Sequence, residues 1–270
     1  MIIDAFLFNN ELDLLELRLE TLFDYVDRFL IIEGDRTHQN RSKYSNYLIN
    51  EKRFEKYKSK IWHYTINEWP PYTQAVDYAI YSRNQINKAL EYFQVNDEDI
   101  ILVSDVDEIV NPIVYHFFER TKLPLFLHQQ FDKEKIEIIN FKTRLFYYFF
   151  NLECCNYNLT DPIEFSIRAL KWKTLKNMQT NDLRLNTKGL VLEDAGWHWS
   201  FLTKAEGIVE KLNSYGHDQF KDLSKDVIEE KIRLNLDLFG RDLKFTKVDL
   251  GKTFPPYLLK NEEKFKEFIL

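Results

Sequence analysis

The sequence predicts an α/β fold of the doubly wound kind, and three observations predict it. Short apolar runs alternate with segments of helical periodicity through the N-terminal part of the chain. One of those runs, Ile100-Ile101-Leu102-Val103, is wholly apolar and largely β-branched, as in strands buried on both faces. The 270 residues suit one large domain or one domain with an appended lobe, and no repeat or low-complexity linker divides them.

Ile2 to Phe8 is apolar apart from Asp4 and reads as a buried strand. Asn10 stands where a cap belongs. In the helix that follows, Leu12, Leu15, Leu19 and Leu22 recur at threes and fours, which leaves Glu16, Arg18 and Glu20 for solvent. Arg28 to Glu33 (RFLIIE) is a second strand ending on an acid. Residues 34–60 are polar, charged and tyrosine-rich, and read as a long loop or irregular excursion. Ile61 to Tyr64 makes a third strand. A helix from about Thr73 to Phe93 carries Val76, Ala79, Ile80, Ile86, Leu90 and Phe93 on its apolar side. The run 100–103 follows as the central strand. Beyond 124 the pattern changes, with short strands expected at Leu125–His128, Ile136–Phe141 and Leu190–Leu192, and helices at about 204–215, 225–238 and 261–270.

Composition narrows the function classes. Charged residues are 30% and apolar residues 44%, so the chain reads as a water-soluble globular protein. The formal charge of -6 argues against nucleic acid as a partner, which asks for a basic face. The two cysteines, Cys154 and Cys155, are neighbours and read as reduced thiols of a cytoplasmic protein. No run reaches the roughly 20 apolar residues of a membrane span, so the expectation is at most peripheral membrane contact. Seven glycines form neither a GxGxxG nor a P-loop pattern. A bound nucleotide would therefore be gripped through a metal ion.

Ligands of open α/β sheets sit beyond the carboxyl ends of the strands, and Asp105 and Asp107 follow directly on the central strand. Two carboxylates at i and i+2 of an extended turn can face one ion. Mg2+ and Mn2+ are typically held by one or two carboxylates plus substrate phosphates. Asp97-Glu98-Asp99 has the same spacing, but it precedes the strand and reads as a solvated turn. Glu108 reads as an orienting or structural acid beside the pair.

Four sets of residues together resemble glycosyltransferase family 17. They are Phe6-Leu7-Phe8-Asn9-Asn10-Glu11-Leu12-Asp13-Leu14-Leu15-Glu16-Leu17-Arg18 with Leu30-Ile31-Ile32-Glu33, then Ile100 to Ile109 (IILVSDVDEI), then Asp194-Ala195-Gly196-Trp197-His198-Trp199-Ser200, and finally Pro256-Tyr257-Leu258-Leu259-Lys260-Asn261. The resemblance runs almost end to end. It implies a GT-A-like fold, a Rossmann-type mixed sheet flanked by helices with added strands and helices in the C-terminal half. It also implies a divalent metal (Mn2+ or Mg2+), a UDP-sugar donor (UDP-N-acetylglucosamine where the donor is known) and inversion at the anomeric carbon. Residues 1–123 would be the nucleotide-sugar-binding half and 124–270 the acceptor-side half of one glycosyltransferase domain. The acceptor class that fits is a surface polysaccharide, a lipid-linked glycan or another cytosolic glycan.

Roles follow as expectations. Asp105 and Asp107 hold the metal. His198 either completes the metal shell or is a buried histidine with a satisfied hydrogen bond, and His217 is either a further ligand or a surface residue. The acceptor base is sought at Asp194 first and Asp218 second, with a turn or cap acid as the other reading of Asp194. Glu11 and Glu33 lie at or just past strand ends, where Glu33 either bonds the uracil or ribose or ends its strand in water. Arg83, on an otherwise apolar helix face, either neutralises the donor diphosphate or pairs with a structural acid. Arg168 and Arg241 are weaker cases of the same kind. Trp197 and Trp199 are either a sugar-stacking wall or core. Two rival functions stay open at this point: a haloacid-dehalogenase-like phosphatase with Asp105 as nucleophile and Asp107 as acid, and a non-catalytic nucleotide-sugar-binding scaffold.

Overall fold

The computed structural model describes residues 1–116, 119–132, 136–156, 167–184, 186, 188–214 and 223–270. The strands are β1 (Ile2–Leu7), β2 (Arg28–Gly34), β3 (Ile61–Ile66), β4 (Ile100–Asp105), β5 (Glu108–Val110), β6 (Ile113–His116), β7 (Glu119–Lys122), β8 (Ile138–Phe141), β9 (Arg144–Tyr147), β10 (Leu152–Cys154), β11 (Ile167–Lys171), β12 (Leu190–Leu192), β13 (Gly196–Ser200) and β14 (Phe245–Lys247). The helices are α1 (Leu12–Leu22), α2 (Asn46–Ile49), α3 (Ala75–Tyr92), α4 (Leu123–Phe131), α5 (Trp172–Leu175), α6 (Thr180–Leu183), α7 (Ala205–Ser214), α8 (Lys225–Arg233), α9 (Pro256–Lys260) and α10 (Glu262–Phe265).

Seven strands form a mixed sheet in the order β12-β8-β11-β4-β1-β2-β3. The strands β4, β1, β2 and β3 are mutually parallel, so their carboxyl ends share one edge. β11 enters antiparallel to β4, which turns a doubly wound sheet into a mixed one. Side chains alternate across β1. Ile2 and Phe6 face the core that contains the leucines of α1, while Ile3 and Ala5 face the core that contains Ile86, Ala89 and Leu90 of α3. A second sheet, β14-β10-β9-β13-β5, carries α7 and α8 on one face through Ile208, Leu212 and Ile228. The first core cluster runs from Ile2 to Phe265, which ties the C-terminal helices to the N-terminal strands.

Several elements differ from the sequence expectation. Leu125–His128 lies inside α4, where Leu123, Phe126, Leu127 and Phe131 are buried at helical spacing behind a proline in the first turn. The excursion 34–60 contains α2 and a 3-10 run, Glu51–Lys60. Asn10 does not cap α1; its N-cap is Glu11, which makes no side-chain cap bond. The charges expected on the solvent face of α1 are not solvated. Glu16 takes Arg53, Tyr257 and Lys264, and Glu20 takes Tyr57 and Lys56. The 3-10 run and the C-terminal helices cover that face, so a polar stripe here marks a polar interface.

Arg18 is the clearest case, being 0% exposed. Its guanidinium forks onto Asp4 of β1 with bonds of 2.7 and 2.5 Å and reaches Ser104 of β4 at 2.6 Å. The third nitrogen donates to the backbone carbonyls of Asp105 at 2.9 Å and Glu108 at 2.7 Å. Removing one partner of such a buried pair leaves an uncompensated charge. Arg18→Met is expected to lower the unfolding free energy by about 3–5 kcal/mol in urea denaturation. The paired change Asp4→Leu with Arg18→Met should recover part of that loss. A single-variant loss under about 1 kcal/mol would contradict the bracing role.

Candidate active site

The acidic motif occupies the corner where the chain leaves one sheet and enters the other. β4 ends at Asp105, Val106 and Asp107 turn, and β5 begins at Glu108. Arg18 pins the carbonyls on both sides of the turn, and the Trp199 N–H donates to the Asp107 carbonyl at 2.9 Å. β13 pairs antiparallel with β5, placing His198 opposite Glu108. The result is a compact donor set. Ligand atoms of Asp107, Glu108 and His198 all lie within 4.8 Å of one another. Two carboxylates and an imidazole fit a divalent ion such as Mn2+.

Asp105 stands apart from that trio. Its carboxylate is held by Arg184 at 2.6 Å and by Arg83 at 3.2 Å, and its backbone N–H donates to Glu108 Oε2 at 2.7 Å. Arg184 also reaches Glu108 Oε1 at 3.0 Å, so one guanidinium spans both acids. Burial alone would raise the Asp105 carboxyl, but Arg184 and Arg83 hold it well below the usual carboxylate range. At Glu108 burial wins and pushes the carboxyl up, against Arg184 and with the help of Asp105 and Asp107.

Beyond the strand ends lies a cleft of about 350 Å³. It has two characters. Part of its lining is apolar, from Leu7, Ile32, Ile66, Trp69, Val76 and Ile80. Val76 and Ile80 are 44% and 37% exposed, because this part of the α3 stripe faces the cleft and not the core. The Trp69 ring packs on Gly34, where a Cβ would fall 2.7 Å from the indole, and its Nε1 donates to Asp35 at 2.7 Å. The rest of the lining includes the charged residues Glu11, Lys43, Arg83, Asp105, Asp107 and Lys211. His38 also lines the cleft, its backbone N–H bonded to the Ser214 carbonyl at the end of α7.

The structure brings Glu11, Arg83, Asp105 and Asp107 to the cleft and sets His198 beside Asp107. Glu33 does not line it. Its carboxylate is saturated by Lys43, Ser45, His63 and the N–H groups of Asn46 and Tyr47, so it organises the start of α2. Trp197 is not a sugar wall. It stacks on Trp199 in the core and donates to the Thr253 carbonyl at 3.0 Å. Asp194 is an exposed turn acid with φ 48° between β12 and β13, away from the cleft lining. Arg241 pairs with Asp237 in the second-sheet region, and Arg168 is buried beneath the motif, donating to the Arg184 carbonyl. His217 and Asp218 lie outside the described residues. Sequence reading missed Arg184, Lys211 and His38: Lys211 is one charge among several on the polar side of the expected helix at 204–215, and no motif marks Arg184 or His38.

His38 supplies a pH test. Burial first, then the Arg83 and Lys43 charges, push its imidazole from 6.5 down to about 4, against the pull of Asp105. The unfolded chain therefore binds this proton more readily, and the contribution of His38 is fully present above 6.5 and lost as pH falls toward 4. Stability should decline between pH 6.5 and about 5, ahead of the carboxylates, and His38→Gln should flatten that segment of the profile. Denaturant midpoints at pH 7 and 5 check it, and parallel losses in both proteins would refute it.

Comparison with known proteins adds the family. No curated protein matches the chain. Among solved structures, a mannosyltransferase from Pyrobaculum calidifontis in complex with GDP-Man and Mn2+ is similar at TM-score 0.40 and 10% identity, covering 88% of this chain and 70% of that one. Glucosyl-3-phosphoglycerate synthase from Mycobacterium tuberculosis, in complex with Mn2+, UDP and its product, is similar at TM-score 0.40 and 14% identity, covering 97% and 92%. The galactosyltransferase LgtC, in complex with donor and acceptor sugar analogs, is similar at TM-score 0.36 and 10% identity, covering 99% and 94%. The sequence model of glycosyltransferase family 17 matches residues 1–270, and the chain belongs to that family.

Proposed function

We propose that this glycosyltransferase transfers a sugar from a UDP-sugar to a glycan acceptor, with inversion and with a divalent ion in the cleft. UDP-N-acetylglucosamine is the proposed donor, on the strength of the family resemblance, and a surface or lipid-linked glycan the proposed acceptor. The observation that carries the reading is the trio Asp107, Glu108 and His198, of which Asp107 lines the cleft together with Glu11, Arg83 and Lys211. The apolar lining suits a flat heterocyclic base, and the charged lining suits a diphosphate with its counter-ion.

Asp107, Glu108 and His198 would hold the ion, which supplies Lewis-acid stabilisation of charge building on the leaving diphosphate. Arg83 lines the cleft beside Asp105 and is placed to neutralise the same diphosphate. Asp105 orients Arg83 and Arg184 through its carboxylate. The phosphatase reading asks Asp105 to act as a nucleophile, and a carboxylate clamped by two guanidiniums is poorly suited to that. It is set aside with the family membership.

Calorimetric titration with UDP-N-acetylglucosamine, in Mn2+ and then in EDTA, is the direct test. Binding should require the ion. Asp107→Ala should remove that metal-dependent binding while the protein stays folded, and normal affinity in this variant would sink the metal assignment. Asp194→Asn should keep turnover within about twofold, because Asp194 does not line the cleft; a loss of about 100-fold or more would restore it as the base. Donor binding with neither transfer nor hydrolysis would favour the scaffold reading.

A further inference from the structure

The cations around the motif stand where a metal ion would compete with them for the acids, and where a phosphate would compete with the acids for them. Lys211, near the end of α7, extends its ammonium to 3.2 Å from Asp107 Oδ2 and 3.4 Å from Glu11 Oε1. It lines the cleft and lies over the Phe201 ring at 5.6 Å. One of the three candidate metal-donor residues is thus already paired with a cation, which α7 supplies. The backbone that carries Lys211 is tethered, since the Ser214 carbonyl accepts the His38 N–H. The lysine stem, by contrast, has four rotatable carbons, and its ammonium is a point charge without directional demands.

We propose that Lys211 is a counter-ion that serves two anions in turn: Asp107 in the free protein, and the donor diphosphate once a divalent ion occupies Asp107. The proposal rests on the metal-site reading above. An ammonium and a divalent ion beside the same carboxylate oxygen repel each other, so Lys211 opposes metal binding when no donor is present. When both bind, Lys211 leaves Asp107 and neutralises phosphate oxygen in the same cleft, so metal and donor favour each other. The alternative is a fixed brace, in which Lys211 only ties α7 to Asp107 and Glu11.

The two roles give effects of opposite sign on one substitution. In the full-length protein, Mn2+ affinity is read from the electron paramagnetic resonance of free Mn2+, without nucleotide. UDP affinity is then read by calorimetry at saturating Mn2+. Lys211→Met should bind Mn2+ about two- to fivefold more tightly than wild type, since a competing cation is gone. The same variant should bind UDP about 10- to 100-fold more weakly, the range for one lost charge-assisted hydrogen bond. Lys211→Arg, which keeps the charge, should stay near wild type in Mn2+ affinity, and Lys211→Gln provides a polar variant should the methionine protein fold poorly. Unchanged or weaker Mn2+ binding in both neutral variants overturns the proposal in favour of a brace, and unchanged UDP affinity overturns its phosphate half. Wild-type protein that binds no Mn2+ even with UDP would overturn the metal-site reading itself, a result distinct from either.

Discussion

One buried guanidinium fixes the geometry on which the site depends. Arg18 joins Asp4 of β1 to Ser104 of β4 and then closes on the carbonyls of Asp105 and Glu108. A turn between two sheets would otherwise expose those carbonyls to water or leave them unsatisfied in the interior. The fork geometry of arginine matters, because lysine has neither the planarity nor the number of donors to hold a carboxylate and two carbonyls together. The acids of the motif are therefore aimed from beneath by a residue that touches none of their carboxylates.

Above that brace, the charges of the corner are balanced in pairs. Asp105 is matched by Arg83 and Arg184, Glu108 by Arg184, and Asp107 by Lys211. This lets several acids share a partly buried corner without mutual repulsion unfolding it. It also divides the motif by function. Asp105 is committed to arginines, whereas Asp107 and Glu108 converge with His198. An i, i+2 pair thus serves two tasks, because the turn after β4 sends the two side chains to different partners.

Much of the fold was legible in the sequence. The runs that became β1, β2 and β4 are apolar on both faces, and α1 and α3 show helical periodicity. Leu125–His128 misled because a short apolar run has no period of its own, and the proline before it turned out to open a helix. Arg18 misled for a different reason. Periodicity separates apolar from polar positions, but it cannot tell a solvated arginine from one turned onto a buried aspartate of the neighbouring strand, as Arg18 is onto Asp4. At the site, Asp105 and Asp107 were readable from their place after a buried strand. Glu108 and His198 were named as candidates, but their meeting depends on the pairing of β5 with β13, and nothing local announces Arg184, just after α6, or Lys211, in α7.

Trp69 carries a consequence of a different sort. Of the five tryptophans, it is the one whose ring lines the cleft. Trp62 stacks on Phe93, Trp172 lies in the core beneath α3, and Trp197 and Trp199 stack on each other in the first core cluster. The other four indoles do not line the cleft, and a planar group lying against the fifth, which packs on Gly34, is expected to change its emission. The chain has its own optical gauge of cleft occupancy, readable without label or substrate turnover.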